Sequence, residues 1–458
     1  MLRHRYLHHQ CRRPVLVRPA LGWREDVFCT RARGAAPVGQ AFGCTRCPCF
    51  THTVQSVSTS VTEVVADHPR VVRGLLNIAH ALDHLFLLIF AAAVSTIATD
   101  MGLAQWQDLM PYGAGAFFMF GLGSLPAGRL GDLWGRRSMM LVFFFGIGAA
   151  AILTAFAQTP WQLAACLTLI GVFAAIYHPV GIPMLLERSS NPGATIGFNG
   201  LAGNLGVAVA ALLTGFLIQW LGWRAAFVVP GVGAILCGFL FARSCPPEVS
   251  SPAKRKGGAK VSLPAPMLAR ALVVMTAAAV TSSVLFNFTT NGNGVLLAER
   301  FVGVMEDPAA LGLLLAVVYA VASLAQLIVG HLINRFALKP FFLFMVLAQI
   351  PMLILASQAQ GWWLFVALTG VMVFIFGAIP FTDYMIARYV DDRLRSRVSG
   401  MRLGVSFGVS SLSVWALGPV VKAMGFGQSL LLLAGFSLTT CLILSWLPSA
   451  AHEQVKPS

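Results

Sequence analysis

The chain has 458 residues, of which 57% are hydrophobic and 11% charged, and its formal net charge is +15 at pH 7. Soluble domains contain about 25% charged residues because their surfaces face water, so this composition excludes a soluble enzyme. It indicates a chain most of whose surface faces lipid, and it predicts an all-α membrane protein.

The first seventy residues differ in composition from the rest. They contain ten Arg, four acidic residues and five of the nine Cys. Cys44, Cys47, Cys49 and His52 could suggest zinc or redox chemistry, but a second C-x-x-C pair is missing. An Arg-rich, acid-poor start also resembles an organelle transit peptide. We expect residues 1–70 to be a disordered extension, or the product of a start codon assigned too far upstream.

Twelve apolar runs follow, each long enough for a bilayer core that requires about 20 helical residues. They span about residues 71–98, 108–129, 138–158, 161–184, 196–220, 223–243, 267–291, 309–332, 340–358, 362–386, 398–421 and 427–447. The sequence therefore predicts two six-helix bundles, 71–245 and 267–449. A Pro-, Ser- and Lys-rich cytoplasmic linker at 246–266 joins them, and residues 450–458 form a tail.

Glycines recur inside two of these runs at spacings that bring them to one helix face. They are Gly197, Gly200, Gly203 and Gly206, and Gly400, Gly404 and Gly408. Small residues at such spacings let helix backbones approach closely in lipid, so we expect tight packing there. The alternative is the ordinary abundance of Gly in membrane helices.

The positive charge is distributed as a topology signal. Alternate breaks, counted with the run ends beside them, hold seventeen Lys and Arg, whereas the remaining breaks and run ends hold only Arg224, Arg300 and Lys422. Because basic loops stay in the cytoplasm, both termini are predicted to be cytoplasmic. The basic residues form no stripe of the kind that binds nucleic acid, so no such partner is predicted.

The first run carries ionisable residues at membrane depth, where each is a candidate functional residue because charge is costly there. Asn77, His80 and His84 fall on one helical face, with Asp83 close by. His titrates near neutral pH, so this group could load and release a proton. A structural hydrogen-bonded cluster is the alternative. Run one alone offers too few ligands for a metal carrier, so no metal site is predicted.

Other polar residues at membrane depth lie in later runs. Tyr177 and His178 precede Pro179, which frees a backbone carbonyl that could face a substrate. His178 either lines a cavity or bonds a neighbouring helix. Asn287, Asn291 and Asn293 suit a gate or a polar substrate, with helix-end capping as the alternative. Asp383 suits proton or substrate handling, or a pair with Arg388.

The two halves repeat at an offset of 202 residues. At this offset, four residues of the first half align with identical or similar residues of the second: Gly128 with Gly330, Leu130 with Leu332, Arg137 with Lys339 and Trp161 with Trp363. Asp132 aligns with Asn334. A parallel repeat of six helices is the architecture of a carrier with its site between the halves. The segment from Gly128 to Arg137, GRLGDLWGRR, lies between the second and third runs. It closely resembles the signature of the loop between helices two and three in the major facilitator superfamily.

This resemblance covers about residues 70–450 and implies a conformational latch. The latch would comprise Gly128, Asp132, Gly135, Arg136, Arg137, Gly330 and Asn334, with Asp132 binding the start of the eleventh helix at 397–402. Tyr177-His178-Pro179 also resembles a segment of fosmidomycin-resistance-type members. The arginine that many proton-coupled members carry in helix four is Leu167 here, so their arginine-assisted scheme does not transfer.

Together these observations predict a monomeric secondary transporter of a small molecule in a bacterial inner membrane, driven by a proton gradient. No Walker loop, serine-nucleophile or zinc-protease motif is present, so neither an enzyme nor a cofactor is predicted. The alternatives are an uncoupled facilitator and a membrane sensor or receptor that has lost transport. Both uptake and efflux fit these residues.

Overall fold

The computed structural model describes residues 69–187, 189, 191–247, 265–333, 335–389 and 392–447. All contacts below lie within residues 64–458, which form one compact unit. Ten helices of the described part are long and apolar enough to cross a membrane. The first of them is the most buried: 67% of its most apolar 18-residue stretch is buried inside the protein. This helix therefore lies at the centre.

The first half contains eight α-helices. They are α1 (Arg70–Asp100), α2 (Trp106–Leu109), α3 (Ala114–Trp134), α4 (Arg136–Thr154), α5 (Pro160–Ala174), α6 (Ile182–Glu187), α7 (Pro192–Leu221) and α8 (Trp223–Ser244). A 3-10 turn at Met110–Gly113 links α2 to α3, and a π-helical turn at Tyr177–Gly181 lies between α5 and α6.

The second half contains six α-helices among the described residues. They are α9 (Ala265–Arg300), α10 (Pro308–Leu332), α11 (Leu338–Leu347), α12 (Gln349–Gln358), α13 (Gly361–Tyr389) and α14 (Asp392–Ser445). Gly425 interrupts α14 with a φ of +74°, which separates the two predicted runs 398–421 and 427–447. Because α2 with α3, α5 with α6 and α11 with α12 each correspond to one predicted run, the all-α fold of two six-helix halves is confirmed. The ends of α3 and α9 differ from the predicted ones.

The GRLGDLWGRR segment is the clearest correction to a predicted boundary. It was expected to be a loop, but α3 continues through Gly128 and Asp132 to Trp134. Gly135 alone makes the turn, with a φ of +94° that only glycine adopts without cost. Helix α3, which contains five glycines, Pro126, Arg129 and Asp132, is not among the ten.

The outer surface is apolar, as expected of helices that face lipid. Phe198, Leu236 and Phe239 each expose about three fifths of their surface (61%, 61% and 62%). Exposed tryptophans mark helix ends, including Trp161 at the start of α5 and Trp363 at the start of α13. Trp at such positions suits the interface between hydrocarbon and headgroups.

Only some of the predicted glycines bring helices together. A Cβ added at Gly206 would lie 2.2 Å from the Ala81 carbonyl oxygen, so α7 and α1 touch backbone to backbone there. A Cβ at Gly121 of α3 would lie 2.9 Å from the Gly408 nitrogen of α14. Gly197, in contrast, has no atom within 4 Å of its added Cβ, so the packing prediction was wrong for that residue.

The two halves meet along α7 with α10 and along α3 with α14. The Asn204 side chain donates a hydrogen bond to Gln326, and the Gln219 side chain accepts one from the Ala309 amide at 3.2 Å. Lys422 pairs with Asp108 at 2.6 Å. These contacts join the two six-helix units.

The sequence repeat is also a structural repeat at one cationic position. Arg137, at the start of α4, donates to the carbonyl oxygens of Ala242 (2.8 Å) and Cys245 (2.7 Å) at the end of α8. Its counterpart Lys339 donates to Ser445 (2.6 Å) and Leu447 (2.9 Å) at the end of α14. Both cations therefore satisfy carbonyls that a helix terminus leaves without intrahelical donors.

Replacing Arg137 with Gln is expected to lower the stability by about 1.5–3 kcal/mol, the contribution typical of hydrogen bonds to a charged group. Arg137→Lys should retain most of that stability because a lysine fills the same position in the second half. Melting of the detergent-purified protein measures both. Arg224→Gln is the control, since its pair with Asp100 is exposed (47% and 42%). An equal loss in Arg137→Gln and Arg224→Gln would contradict this role.

Candidate functional site

Three histidines from two segments converge at the centre of the first half. His80 and His84 lie one turn apart on α1, and His178 lies in the π-helical turn. The ring centroid of His80 lies 5.0 Å from that of His84 and 5.0 Å from that of His178. The centroids of His84 and His178 are 5.7 Å apart. We call these residues and Asp83 the histidine cluster.

The position of His80 is fixed by α7. Its Nδ1 donates to the Asn199 backbone carbonyl oxygen at 2.7 Å, and its ring stacks on Tyr177 with centroids 4.7 Å apart. The Asn199 side chain donates to the Tyr177 hydroxyl (2.7 Å) and to the Asn77 side chain (2.9 Å). One polar network thus joins α1, the π-helical turn and α7, and it brings Asn77, His80 and Tyr177 together.

Asp83 is the fully buried acid of the cluster, with 0% exposure. Neither of its carboxylate oxygens has a hydrogen bond within the described residues. The His178 Nε2 lies 3.4 Å from Asp83 Oδ2, which is longer than a good charge-assisted hydrogen bond. An unsatisfied carboxyl at membrane depth is expensive, so its retention there favours a functional role.

The π-helical turn aims His178 at the cluster. Pro179 lacks an N–H and cannot continue the α-helical hydrogen-bond ladder, and wider turns of this kind occur often at functional sites. Gly128 and Gly131 of α3 let that helix approach the turn. An added Cβ would lie 3.2 Å from Pro179 and 2.8 Å from Val180, respectively. The GRLGDLWGRR segment therefore also supports the turn that carries His178.

The cluster faces the second half of the protein. His178 contacts Phe120 of α3 (centroids 5.6 Å apart) and Phe407 of α14 (6.5 Å), and the two phenylalanines pack on each other at 4.5 Å. Phe407 belongs to a helix of the other half. The histidine cluster thus lies beside the boundary at which the two halves meet.

The remaining residues of the predicted latch have separate surroundings. Arg136 pairs with Glu187 at 2.8 Å and donates to the Pro183 carbonyl oxygen at 3.2 Å, both within its own half. Asp132 is half-buried in the last turn of α3, and its carboxylate makes no hydrogen bond or ion pair with another described residue. Gly330 lies inside α10. A latch across the halves stays a prediction.

The asparagines of α9 form a second polar region. Because α9 runs on to Arg300, Asn287, Asn291 and Asn293 lie within the helix and not at its end, which contradicts the helix-end capping alternative. Each is 1% exposed, and Asn291 Oδ1 has no hydrogen-bond partner within the described residues. A small cavity between the halves is lined by Asn291, Thr290 and Tyr319 on one side and by Leu88 and Val207 on the other.

Several predicted residues lie outside the described part of the chain or have side chains that are not described. Asp383 belongs to α13, but neither its side chain nor that of Arg388 is described. Asn334 and the cysteines of residues 1–68 fall outside the described ranges. The predictions about these residues stay predictions.

The residue that sequence reasoning missed is Asn199, which holds His80, Tyr177 and Asn77 together. It lies within the glycine-rich segment of α7, where the glycines drew attention to packing alone. A polar residue at membrane depth on that helix was the available signal. Asn204, Gln326 and Glu187 were also missed.

Comparison with known proteins gives one family. The model described as Major Facilitator Superfamily matches residues 76–302, about half of the chain. A relative described as "Probable actinorhodin transporter" from Streptomyces coelicolor is 28% identical over 196 residues, which cover 40% of this chain and 32% of that protein. An MFS-type efflux pump from Mycolicibacterium smegmatis is 24% identical over 83% of this chain and 92% of its own.

A solved structure extends the likeness to the whole fold. It is a bacterial homologue of the human lysosomal transporter Spinster, in an inward-facing and occupied conformation, with a TM-score of 0.60. The alignment covers 82% of this chain and 94% of that one at 18% identity, so it supports the fold alone. The chain spans about a third of the length of the first Streptomyces relative that it matches.

Proposed function

Because this chain belongs to the major facilitator superfamily, we propose that it is a proton-coupled secondary transporter of a small molecule that works by alternating access. The relatives described above are transport proteins, and no enzymatic activity is proposed. The alternating basic charge supports an orientation with both termini in the cytoplasm of a bacterial inner membrane. A single chain suffices, since it contains both halves.

The observation that carries the proposal is the position of the histidine cluster. Asp83 has no hydrogen bond within the described residues, and His178 lies 3.4 Å away at the boundary between the halves. A proton shared between these two groups would supply the missing hydrogen bond. Release of that proton would remove it again, so the protonation state would bias the contacts that His178 makes with Phe120 and Phe407.

The substrate would be held where the two halves face each other. The cavity lined by Asn291, Thr290 and Tyr319 offers neutral donors and acceptors from the second half, close to α1 and α7 of the first. Its volume of about 10 Å³ has room for about one water, so the halves would have to separate there to admit a substrate. Midplane sites between repeats are typical of secondary transporters. Uptake and efflux remain equally compatible with this arrangement.

The alternatives differ in their response to a pH gradient. Everted membrane vesicles that contain the protein are loaded with a library of small organic compounds, and flux is followed before and after a pH jump. A proton-coupled transporter gives flux whose direction follows the imposed gradient. A facilitator gives the same flux with and without the gradient.

A sensor or receptor that has lost transport would bind compounds without any flux, and it would overturn the proposal completely. Vesicles that contain no recombinant protein provide the baseline. Flux that ignores the gradient for every transported compound would reject proton coupling but retain transport.

A further inference from the structure

The three imidazoles of the histidine cluster have the spacing of a metal site. One ligand atom from each of His80, His84 and His178 lies within 4.8 Å of the others. With zinc–nitrogen bonds of 2.0–2.1 Å, three imidazoles on one tetrahedral ion have ring centroids about 5 Å apart. The observed centroid distances of 5.0, 5.0 and 5.7 Å lie close to that value, so small rotations of the side chains would bring the three ligand atoms onto one ion.

The hydrogen bond of His80 leaves the correct nitrogen available. A backbone carbonyl only accepts, so the 2.7 Å contact with the Asn199 oxygen places the hydrogen on Nδ1. Nε2 of a neutral ring then carries a lone pair, and it is buried without a hydrogen-bond partner among the described residues. Metal-binding histidines commonly donate their second nitrogen to a backbone carbonyl in this way.

Gly203 preserves space beside the same nitrogen. A Cβ added at this position of α7 would lie 2.5 Å from His80 Cε1, 2.6 Å from Nε2 and 2.8 Å from Nδ1, so it would press on the ring. Any other residue there would occupy the side of the imidazole that faces α7, or would turn the ring away from His84 and His178. The choice of glycine thus keeps the His80 ring in its present position.

Asp83 supplies a fourth metal ligand and a negative charge. Its 3.4 Å separation from His178 Nε2 is long for a hydrogen bond, but two ligand atoms on one tetrahedral zinc lie about 3.4 Å apart. A divalent ion would also neutralise a carboxylate that is otherwise buried without a hydrogen bond. Helix α1 alone offered too few ligands, and the fold adds His178 from the π-helical turn.

We propose that His80, His84, His178 and Asp83 bind a divalent transition-metal ion of the zinc, cobalt and nickel class. Three imidazoles and one carboxylate suit these ions, whereas calcium and magnesium prefer sites made of oxygen. The inference goes beyond the proposed function and does not require it. A bound ion would compete with the proton that Asp83 and His178 share in that proposal, because both use the same two side chains.

The test is titration of the detergent-purified full chain with Co²⁺, whose visible absorption reports tetrahedral coordination. We expect one saturable ion per chain with nitrogen and oxygen donors. Because Cys44, Cys47 and Cys49 could also bind cobalt, the titration is done in a chain in which all three are replaced with Ser. Zn²⁺ should displace the cobalt and raise the melting temperature.

Matched variants assign the ion to the cluster. His84→Gln and His178→Gln should each weaken Co²⁺ binding at least tenfold, by about 1.4 kcal/mol or more. His331→Gln, which changes an exposed histidine at the end of α10, should bind as the parent does. Melting before metal addition shows whether each variant is folded.

Three results would overturn the proposal. They are the absence of saturable binding in the parent, unchanged binding in both cluster variants, and an equal loss in His331→Gln. A parent that binds cobalt in detergent but shows no gradient-dependent flux in vesicles would reject proton coupling alone. Flux measured with a chelator present tests the proposed function without the metal.

Discussion

Replacing Asp83 with Asn is expected to abolish gradient-driven accumulation while the protein stays folded. Asparagine has nearly the same shape as aspartate but cannot release a proton near neutral pH. A pH gradient of one unit provides about 1.4 kcal/mol per proton, enough to concentrate a substrate about tenfold at one proton per molecule. The variant should equilibrate the substrate instead of concentrating it, and vesicle uptake under a fixed gradient measures the difference.

The stability of this variant should be equal to or higher than that of the parent. The carboxylate oxygens of Asp83 have no hydrogen bond within the described residues. The substitution therefore removes a buried acid without breaking a hydrogen bond. Asp100→Asn is the matched control, because Asp100 ends the same helix but is exposed and pairs with Arg224. Full gradient-driven accumulation by Asp83→Asn would refute the assignment of Asp83.

Gly206→Ala should destabilise the protein by about 1–3 kcal/mol, the usual cost of overpacking. The added Cβ would lie 2.2 Å from the Ala81 carbonyl oxygen, and backbone cannot move aside without separating α7 from α1. That separation would also stretch the contact between His80 and Asn199. Thermal unfolding in detergent should therefore show a lower midpoint, together with weaker Co²⁺ binding by the histidine cluster.

Gly197→Ala is the control on the same helix. Its added Cβ has no atom within 4 Å, so alanine should be neutral or should stabilise the helix by up to about 1 kcal/mol. The two substitutions should change the stability in opposite directions, which separates the effect of packing from that of helix propensity. If both variants were equally stable, the close approach of α1 and α7 would have to be abandoned.

Sequence patterns predicted the fold well because long apolar runs and basic loops are properties of local composition. The offset of 202 residues paired Arg137 with Lys339, and the structure shows both cations on the last carbonyls of a helix. Helix ends were less predictable. Runs were closed at polar residues, but Asp132 lies within α3 and Asn291 within α9, because buried helices tolerate polar side chains that face protein.

The candidate site was predictable only in part, because it depends on contacts distant in sequence. His80, Asp83 and His84 were found together since one helix carries them. Their meeting with His178 requires α5, the π-helical turn and the packing of α3 glycines. Asn199 was missed because its role is to contact three side chains on other segments, and no local pattern expresses that.

The wide turn at Tyr177–Gly181 has a consequence for how such a site can change over time. A turn of this kind holds one residue more than an α-helical turn, and each residue of an α-helix advances the side chains by about 100°. Loss of a single residue there would rotate the helical segment before the deletion relative to the segment after it. His178 could then leave the cluster with every other side chain unaltered, so insertion and deletion, and not only substitution, can switch this chemistry on or off.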